Sequence, residues 1–468
     1  MLLFRNSVAL AYRLFLGRRG QDWVVVALVL PALLSLKTEP FEQLVHGLML
    51  LACLVQIFFG FDPLKIISVV VLSMVPVVWF PVTAMGSVQR YFVPLLALCR
   101  ARLGIGPEIT FPALSLTLIV LLMLFLRLIC GRPSWVLTWV RRMVLCAPIP
   151  VVFVFFSLDR SNPAVIWALV ICTIFLYGMY AALLDYLLSA DRRAFHWSHL
   201  AFFYPIGAAG GYSVLRFPAY LEPLRAIGRR KRAYLWSLGW HTLIIAFLLR
   251  QALELFHLWM PYQLNQIFWE GGWRQATPSQ VRGLLIFMPV WAISTAAIHS
   301  MVFIGYFRVL GFHLPISPSA PWRATNFADI YRRLYYNYTQ FIFDHFYFPI
   351  FVRLPKMPRM WRIGMAIFLT MLLGTFSYHM ARTGLPYVAM AESRPSGLLP
   401  FVIYLFGFAC VFAAQLPFVH RHVSMAWYRR VLNWIFFILI YGALLFFRPS
   451  FVSSDPWANF KMFARIFQ

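Results

Sequence analysis

Long apolar runs recur along the chain at a length that suits the crossing of a lipid bilayer. A helix needs about 20 apolar residues to cross the hydrocarbon core. Runs at or near this length lie at about 22–36, 42–60, 65–84, 111–131, 142–157, 164–188, 234–256, 283–304, 363–383, 399–417 and 432–447. The pattern predicts an all-α polytopic membrane protein with about 11–12 transmembrane helices.

Three segments interrupt this pattern and predict re-entrant or interfacial pieces. Residues 1–20 space arginines among apolar residues, as an interfacial amphipathic helix does. Residues 199–224 contain three glycines and three prolines, which favours a broken element over a regular span. Basic clusters flank the apolar piece 341–352, and both are expected in the cytoplasm, so this piece must dip into the membrane and return.

Composition supports a membrane protein and leaves the meaning of the charge open. The chain is 62% hydrophobic and 12% charged, whereas soluble proteins carry about 25% charged residues. The net charge of +26 fits cytoplasmic loops that face anionic lipid, and an acidic cytosolic partner could use the same surface. We expect no nucleic-acid partner. None of the six cysteines forms a CxxC pair, so no metal site or disulfide framework is indicated.

The stretch Trp322–Ile350 places charges among many aromatic residues. Asp329 lies three and four residues before Arg332 and Arg333, so on a helix all three can pair. Asp344 lies in an apolar run, where a carboxylate needs a partner. An amphipathic helix at the membrane interface would explain the stretch simply. A paired polar network beside a cavity is the alternative that we favour.

His379 lies inside the apolar run at 363–383 and is the strongest candidate for chemistry. An ionisable residue in a membrane segment indicates function by default, although a hydrogen bond to a neighbouring helix would explain it equally well. We assign structural roles to His241 and His299. His196 and His199 form an HxxH pair without the carboxylate of a zinc motif, so no metal is expected.

Two blocks of sequence resemble the membrane-bound O-acyltransferase (MBOAT) family. Residues 331–335, Tyr-Arg-Arg-Leu-Tyr, and residues 344–350, Asp-His-Phe-Tyr-Phe-Pro-Ile, are similar to the Trp-Arg-Arg-Trp-His and Asp-Tyr-Leu-Tyr-Ile-Pro-Leu blocks of bacterial members. The Gly-Thr-Phe-Ser-Tyr-His element that ends at His379 falls where the family carries its invariant histidine. Residues 202–224 resemble its Gly/Pro-rich element. The resemblance covers about residues 195–450.

The resemblance implies a fold and a location. Members form a shell of tilted helices around a thin central region. In this chain, residues 1–190 would complete the shell, residues 191–450 would form the catalytic core, and residues 451–468 would be a C-terminal tail. The relatives include components of alginate and cellulose O-acetylation and of teichoic-acid D-alanylation. This implies a multi-pass protein of the bacterial cytoplasmic (inner) membrane.

The resemblance also implies O-acyl transfer within the membrane. An acyl group, acetyl or longer, would pass from a cytosolic acyl-CoA or acyl carrier protein thioester to a hydroxyl of a cell-envelope glycan, polymer or lipid. No bound cofactor is expected. The implied partners are the lipid bilayer, an acidic acyl carrier protein on the cytosolic side and an extracytoplasmic partner acyltransferase.

The family pattern suggests a role for each candidate residue. His379 would act as general base, because a neutral imidazole can take the proton of an attacking hydroxyl. Oxyanion donors would come from Tyr335, Asn337, Ser377 and Tyr378. Arg332 and Arg333 could hold phosphates of the donor or could be structural partners of Asp329 and Asp344, and we favour the structural role.

Two alternatives from other classes remain. Tyr335 stands where the family places histidine or asparagine, so a non-catalytic acyl-binding or scaffold homologue is one alternative. A membrane transporter is the other. Transporters are expected to show inverted repeats and acidic residues inside spans. The sequence shows no convincing repeat, and it has only 15 acidic residues in all.

Overall fold

In the computed structural model, the described part of the chain is built from helices. It describes residues 98–102, 104, 134–159, 161–176, 229–259, 277–309, 321–324, 326–381, 399–414, 427–446 and 461–467, with single positions between 117 and 187. Every regular element within these ranges is helical. The predicted spans between 22 and 84, the N-terminal amphipathic helix and the Gly/Pro-rich segment 199–224 lie outside the described residues.

We number the α-helices in chain order. They are α1 Ser134–Cys146, α2 Pro148–Ser157, α3 Pro163–Ile174, α4 Arg229–Trp259, α5 Pro278–Val309, α6 Phe327–Leu334, α7 Tyr336–Ile342, α8 Phe348–Val352, α9 Arg359–Leu369, α10 Thr375–His379, α11 Leu399–Ala414 and α12 Trp427–Leu445. Two π-helical turns that are described over their whole length interrupt the series: π1 is Phe343–Tyr347 and π2 is Thr370–Gly374. Short 3₁₀ turns occur at Pro321–Arg323 and Arg465–Phe467.

Three described helices are long and apolar enough to cross a membrane. They span Pro278–Val302, Arg359–His379 and Trp427–Leu445, where the sequence predicts spans at 283–304, 363–383 and 432–447. The expectation of an all-α fold is therefore confirmed for the described chain, and these three helices are compatible with a membrane protein. Two shorter apolar helices, Pro163–Thr173 and Val402–Ala414, lie within the predicted spans 164–188 and 399–417.

The predicted span 142–157 is a bent pair of helices. Trp135–Cys146 and Pro148–Ser157 meet at an angle of 44°. Pro148 causes the break, because proline has no N–H to donate and its ring clashes with the carbonyl one turn earlier. Pro148 is the first residue of α2, where a backbone N–H would have no hydrogen-bond partner within the helix, so its absence costs little stability. The apolar pattern therefore located this element, but it placed the start at about 142, whereas α1 begins at Ser134.

Helices α4 and α5 form a long antiparallel hairpin. A Cβ built on Gly305 would lie 2.7 Å from Cγ of Leu243 and 3.2 Å from the carbonyl oxygen of Gly239, so the two backbones approach closely there. Toward the other end of the pair, Phe256 and Phe287 stack with ring centroids 5.9 Å apart. Small residues at such crossings let helices pack tightly in a lipid environment.

Helix α12 packs against α5, α6 and α11 and carries much of the core. A Cβ on Gly442 would overlap the carbonyl oxygen of Leu285, so α5 and α12 cross backbone to backbone at this position. Phe327 of α6 meets Phe437 of α12 with ring centroids 4.7 Å apart. The C-terminal segment also docks here, since Arg282 donates its Nε–H to the carbonyl of Ile466 over 3.0 Å. Residues 461–467 of the predicted C-terminal tail are thus helical and packed.

Candidate functional site

The site begins at α6, whose first turn is held by its own side chains. Asn326 caps the helix by accepting a hydrogen bond from the backbone N–H of Asp329 over 2.8 Å. Asp329 in turn accepts from Arg332 at 2.7 Å and from Arg333 at 3.0 Å. The predicted pairing of these three charges is confirmed. It gives both arginines a structural partner, which is the role that the sequence favours for them.

The two arginines also set the ionisation of Asp329. Burial by itself would raise the pKa of this carboxyl, but hydrogen bonds from Arg332 and Arg333 and their positive charges outweigh it. The pKa of Asp329 therefore lies below its ordinary value. The carboxylate stays ionised at neutral pH, so the cluster carries a net charge of +1 with two cations and one anion.

Tyr335 ends α6 and is buried. Its backbone leaves the helical region at φ −114° and ψ 48°, which separates α6 from α7. Its hydroxyl lies 3.2 Å from the hydroxyl of Tyr441 on α12. The predicted oxyanion donor is thus already engaged with a second tyrosine. Tyr441 was not among the candidates, since no local pattern connects two residues that are 106 positions apart.

The chain then runs from Tyr336 to Val352 through α7, π1 and α8. Asn337 is the second residue of α7, and its side chain lies outside what the structure describes. Asp344 is half-buried in π1, and His345 beside it is fully buried with its ring 4.6 Å from that of Phe341. A π-turn inserts one residue into the helical ladder, and such turns occur often at functional sites. Their positions do not follow from hydrophobic periodicity, so the sequence predicted neither π1 nor the burial of His345.

This run lies antiparallel to the span that carries His379. Phe351 contacts Arg362 at one end, Phe346 contacts Gly374 in the middle, and Tyr338 contacts Tyr378 at the other end. Residues 341–352 therefore run in one direction, whereas the sequence predicts that this piece dips in and returns. The breaks in the chain lie on either side of it, at Tyr335 and at Arg353–Pro358.

Tyr378 joins the two parts of the predicted site. Its ring lies 4.9 Å from that of Tyr338 and 5.7 Å from that of Phe341, measured between centroids. The half-buried His379 follows it at the end of α10, with its ring edge-on to Tyr378 at 5.8 Å. Helix α10 also contacts α2. The structure thus brings the 331–350 block and the histidine element together, although Ile350 and Tyr378 are 28 positions apart.

Tyr335 and His379 are connected through aromatic rings. The ring of Tyr335 lies 4.8 Å from Tyr331, and Tyr331 lies 6.4 Å from Tyr338, which contacts Tyr378. Buried hydroxyls line the same span, at Thr370, Thr375 and Ser377. In the described ranges, no group of three or more histidine, cysteine, aspartate or glutamate side chains could hold a metal ion.

The comparisons with known proteins add no relative. No family model matches the chain, and a search of curated proteins finds no significant match. The case for a function therefore rests on the residues of the site and on their arrangement.

Proposed function

We propose that the protein is a membrane-embedded O-acyltransferase of the MBOAT type, with His379 as general base. It would transfer an acyl group from a cytosolic thioester to a hydroxyl of a cell-envelope glycan, polymer or lipid. The observation that carries the proposal is the contact of Tyr338 and Phe341 with Tyr378. Through this contact the 331–350 block lies against the helix that ends at His379, and a site shared by the two segments requires such a contact.

The proposed reaction needs one base and a donor to the oxyanion. Neutral His379 accepts the proton of the acceptor hydroxyl while the hydroxyl oxygen attacks the thioester carbonyl carbon. The resulting oxyanion requires hydrogen-bond donors, for which Tyr378, Ser377 and Asn337 are the candidates. The carbon–sulfur bond then breaks, and the imidazolium returns its proton to the thiolate. The products are the O-acyl ester and the free thiol of the donor.

His379 lies half-buried at the end of α10, with its ring edge-on to that of Tyr378. A role as general base requires its neutral form, which is the form that can accept a proton. His241 offers a contrast, because its Nδ1 lies 2.8 Å from the carbonyl oxygen of Ser237 one turn earlier. That geometry assigns His241 a structural hydrogen bond within its own helix.

A second candidate function is a non-catalytic acyl-binding or scaffold protein. The observation that favours it is the Tyr335–Tyr441 hydroxyl pair. Tyr335 stands at the position of the family's first histidine, and its hydroxyl is already paired with that of Tyr441. Purified protein of this kind would bind an acyl thioester without turnover on any acceptor. The transporter alternative receives no comparable support.

Incorporation of labelled acetate or fatty acid into isolated envelope fractions tests the proposal. We expect incorporation in the wild type, none in a deletion strain and none in His379→Ala at equal protein abundance. His241→Ala serves as the matched control, since it removes another helical histidine and should retain incorporation. Wild-type incorporation in His379→Ala would refute the role of this residue. Donor binding without any turnover would favour the scaffold.

A further inference from the structure

A cationic elbow joins α8 to α9 at the beginning of the span that ends with His379. Residues 348–362, Phe-Pro-Ile-Phe-Val-Arg-Leu-Pro-Lys-Met-Pro-Arg-Met-Trp-Arg, contain four cations and no acidic residue. We refer to these residues as the α8–α9 elbow. Its net charge of +4 is concentrated in a short turn, and such a patch attracts anions.

The elbow has an ordered backbone. The N–H groups of Arg353 and Leu354 donate to the carbonyls of Ile350 and Phe351 over 3.0 and 3.3 Å. Met357 donates to Leu354 over 3.4 Å, and Arg362 donates to Pro358 over 2.9 Å, which starts α9. The prolines limit the backbone further. The cations are therefore presented from a turn of defined shape.

Arg362 is oriented by a column of aromatic rings. Phe343 and Tyr347 stack at 4.1 Å, Tyr347 and Phe351 stack at 5.6 Å, and the guanidinium of Arg362 lies 4.3 Å from the centre of Phe351. A cation near an aromatic face is attracted by the ring. The contact therefore holds the guanidinium of Arg362 beside Phe351, and a guanidinium is a favourable partner for a phosphate.

Exposed apolar side chains surround the cations. Trp361 is 71% exposed and Val352 is 70% exposed, and Phe348 and Met360 are exposed as well. A soluble anion would leave these side chains in water, whereas the acyl chains of a lipid would cover them. Tryptophan beside arginine and lysine at the start of a span is typical of the membrane–water interface.

We propose that the α8–α9 elbow is a binding site for the phosphate of an anionic phospholipid. Arg362 contacts the phosphate through its guanidinium, and the exposed Lys356 and Arg359 add positive charge around it. Trp361 and Val352 lie along the upper part of the acyl chains. The site is independent of acyl transfer, because it requires neither His379 nor a thioester.

Lipid titration of the purified full-length chain in detergent tests this site. Native mass spectrometry counts bound dioctanoyl phosphatidylglycerol, with dioctanoyl phosphatidylcholine as the zwitterionic comparison. We expect one saturable phosphatidylglycerol site. Arg359→Gln should weaken it about five-fold, which corresponds to about 1 kcal/mol for one cation near a lipid surface. Arg362→Lys keeps the charge but loses the planar guanidinium that lies beside Phe351, so it should also weaken binding.

Arg429→Gln is the matched control. Arg429 is an exposed arginine near the start of another candidate span, two residues after the exposed Trp427. Its loss should leave the saturable site unchanged. An equal loss of binding in Arg429→Gln would show a general effect of charge and overturn the proposal. Inorganic phosphate or coenzyme A that bound as tightly as phosphatidylglycerol would instead identify a site for soluble anions, which also overturns it.

Discussion

Gly374 lies directly against the ring of Phe346, and this contact joins the two π-helical turns. A Cβ built on Gly374 would come within 2.8 Å of Cγ and 2.9 Å of Cδ2 of Phe346. These are atoms of a buried ring, which cannot move aside as the end of a flexible side chain can. The approach of π1 to π2, and with it the position of Tyr378 and His379, therefore depends on a residue without a side chain.

Gly374→Ala should destabilise the protein by about 1–3 kcal/mol, because an added methyl group overpacks this contact. The apparent melting temperature of the purified protein in detergent measures the effect. Gly407→Ala is the control, since its Cβ would meet only the terminal Cδ2 of Leu444, at 2.5 Å, which a rotamer change can relieve. Equal melting temperatures for the two variants would contradict this account of the π1–π2 contact.

Gly442→Ala should be the most damaging of the three glycine substitutions. Its Cβ would overlap the carbonyl oxygen of Leu285 and lie 3.0 Å from the carbonyl carbon, so α5 and α12 would have to separate. A backbone cannot yield locally as a side chain does. We expect the order of destabilisation to be Gly442→Ala, then Gly374→Ala, then Gly407→Ala. A melting temperature for Gly442→Ala at or above that of Gly407→Ala would show that the helices do not cross at this residue.

The Asp329 cluster predicts a pH dependence of stability. The folded pKa of Asp329 is lowered, so the carboxylate stabilises the folded state at all pH values above its ordinary pKa. That contribution is lost as the pH falls through the lowered pKa. The melting temperature of the wild type should therefore exceed that of Asp329→Asn at neutral pH, and the difference should shrink as the pH falls below the ordinary pKa of aspartate, about 3.9. If the difference in melting temperature grew as the pH fell, the ionised Asp329 would not be stabilising the folded state, which would contradict this account of the cluster.

The hydroxyls of Tyr335 and Tyr441 should be energetically coupled. Each single change to phenylalanine removes one partner of a buried hydrogen bond, which costs about 1 kcal/mol, and the second change should cost less than the first. A double-mutant cycle on unfolding in detergent measures this coupling.

Tyr180→Phe provides the control for that cycle. Its hydroxyl donates to the carbonyl of Leu145 over 3.2 Å and not to either hydroxyl of the Tyr335 pair, so its effect should add to that of Tyr335→Phe. Additive effects of Tyr335→Phe and Tyr441→Phe themselves would mean that the two hydroxyls act independently.

Local rules predicted several features of the site correctly. The pairing of Asp329 with Arg332 and Arg333 follows from helical spacing alone, because residues three and four apart lie on one face. The structural reading of His241 also follows from its own helix, since its bond partner is Ser237 one turn away. The contact between the 331–350 block and the His379 helix, at Tyr338 and Tyr378, has no such local rule behind it.

By itself, the sequence determined that the chain forms helices and that several of them are long and apolar enough to cross a membrane. The length and composition of an apolar run decide this without reference to the rest of the fold. Only the tertiary structure decided the Tyr335–Tyr441 pair, the crossing at Gly442 and the contact of Gly374 with Phe346. It also decided that residues 341–352 run in one direction, through a π-turn. These features depend on which distant residues meet, and helical periodicity carries no information about a partner on another helix.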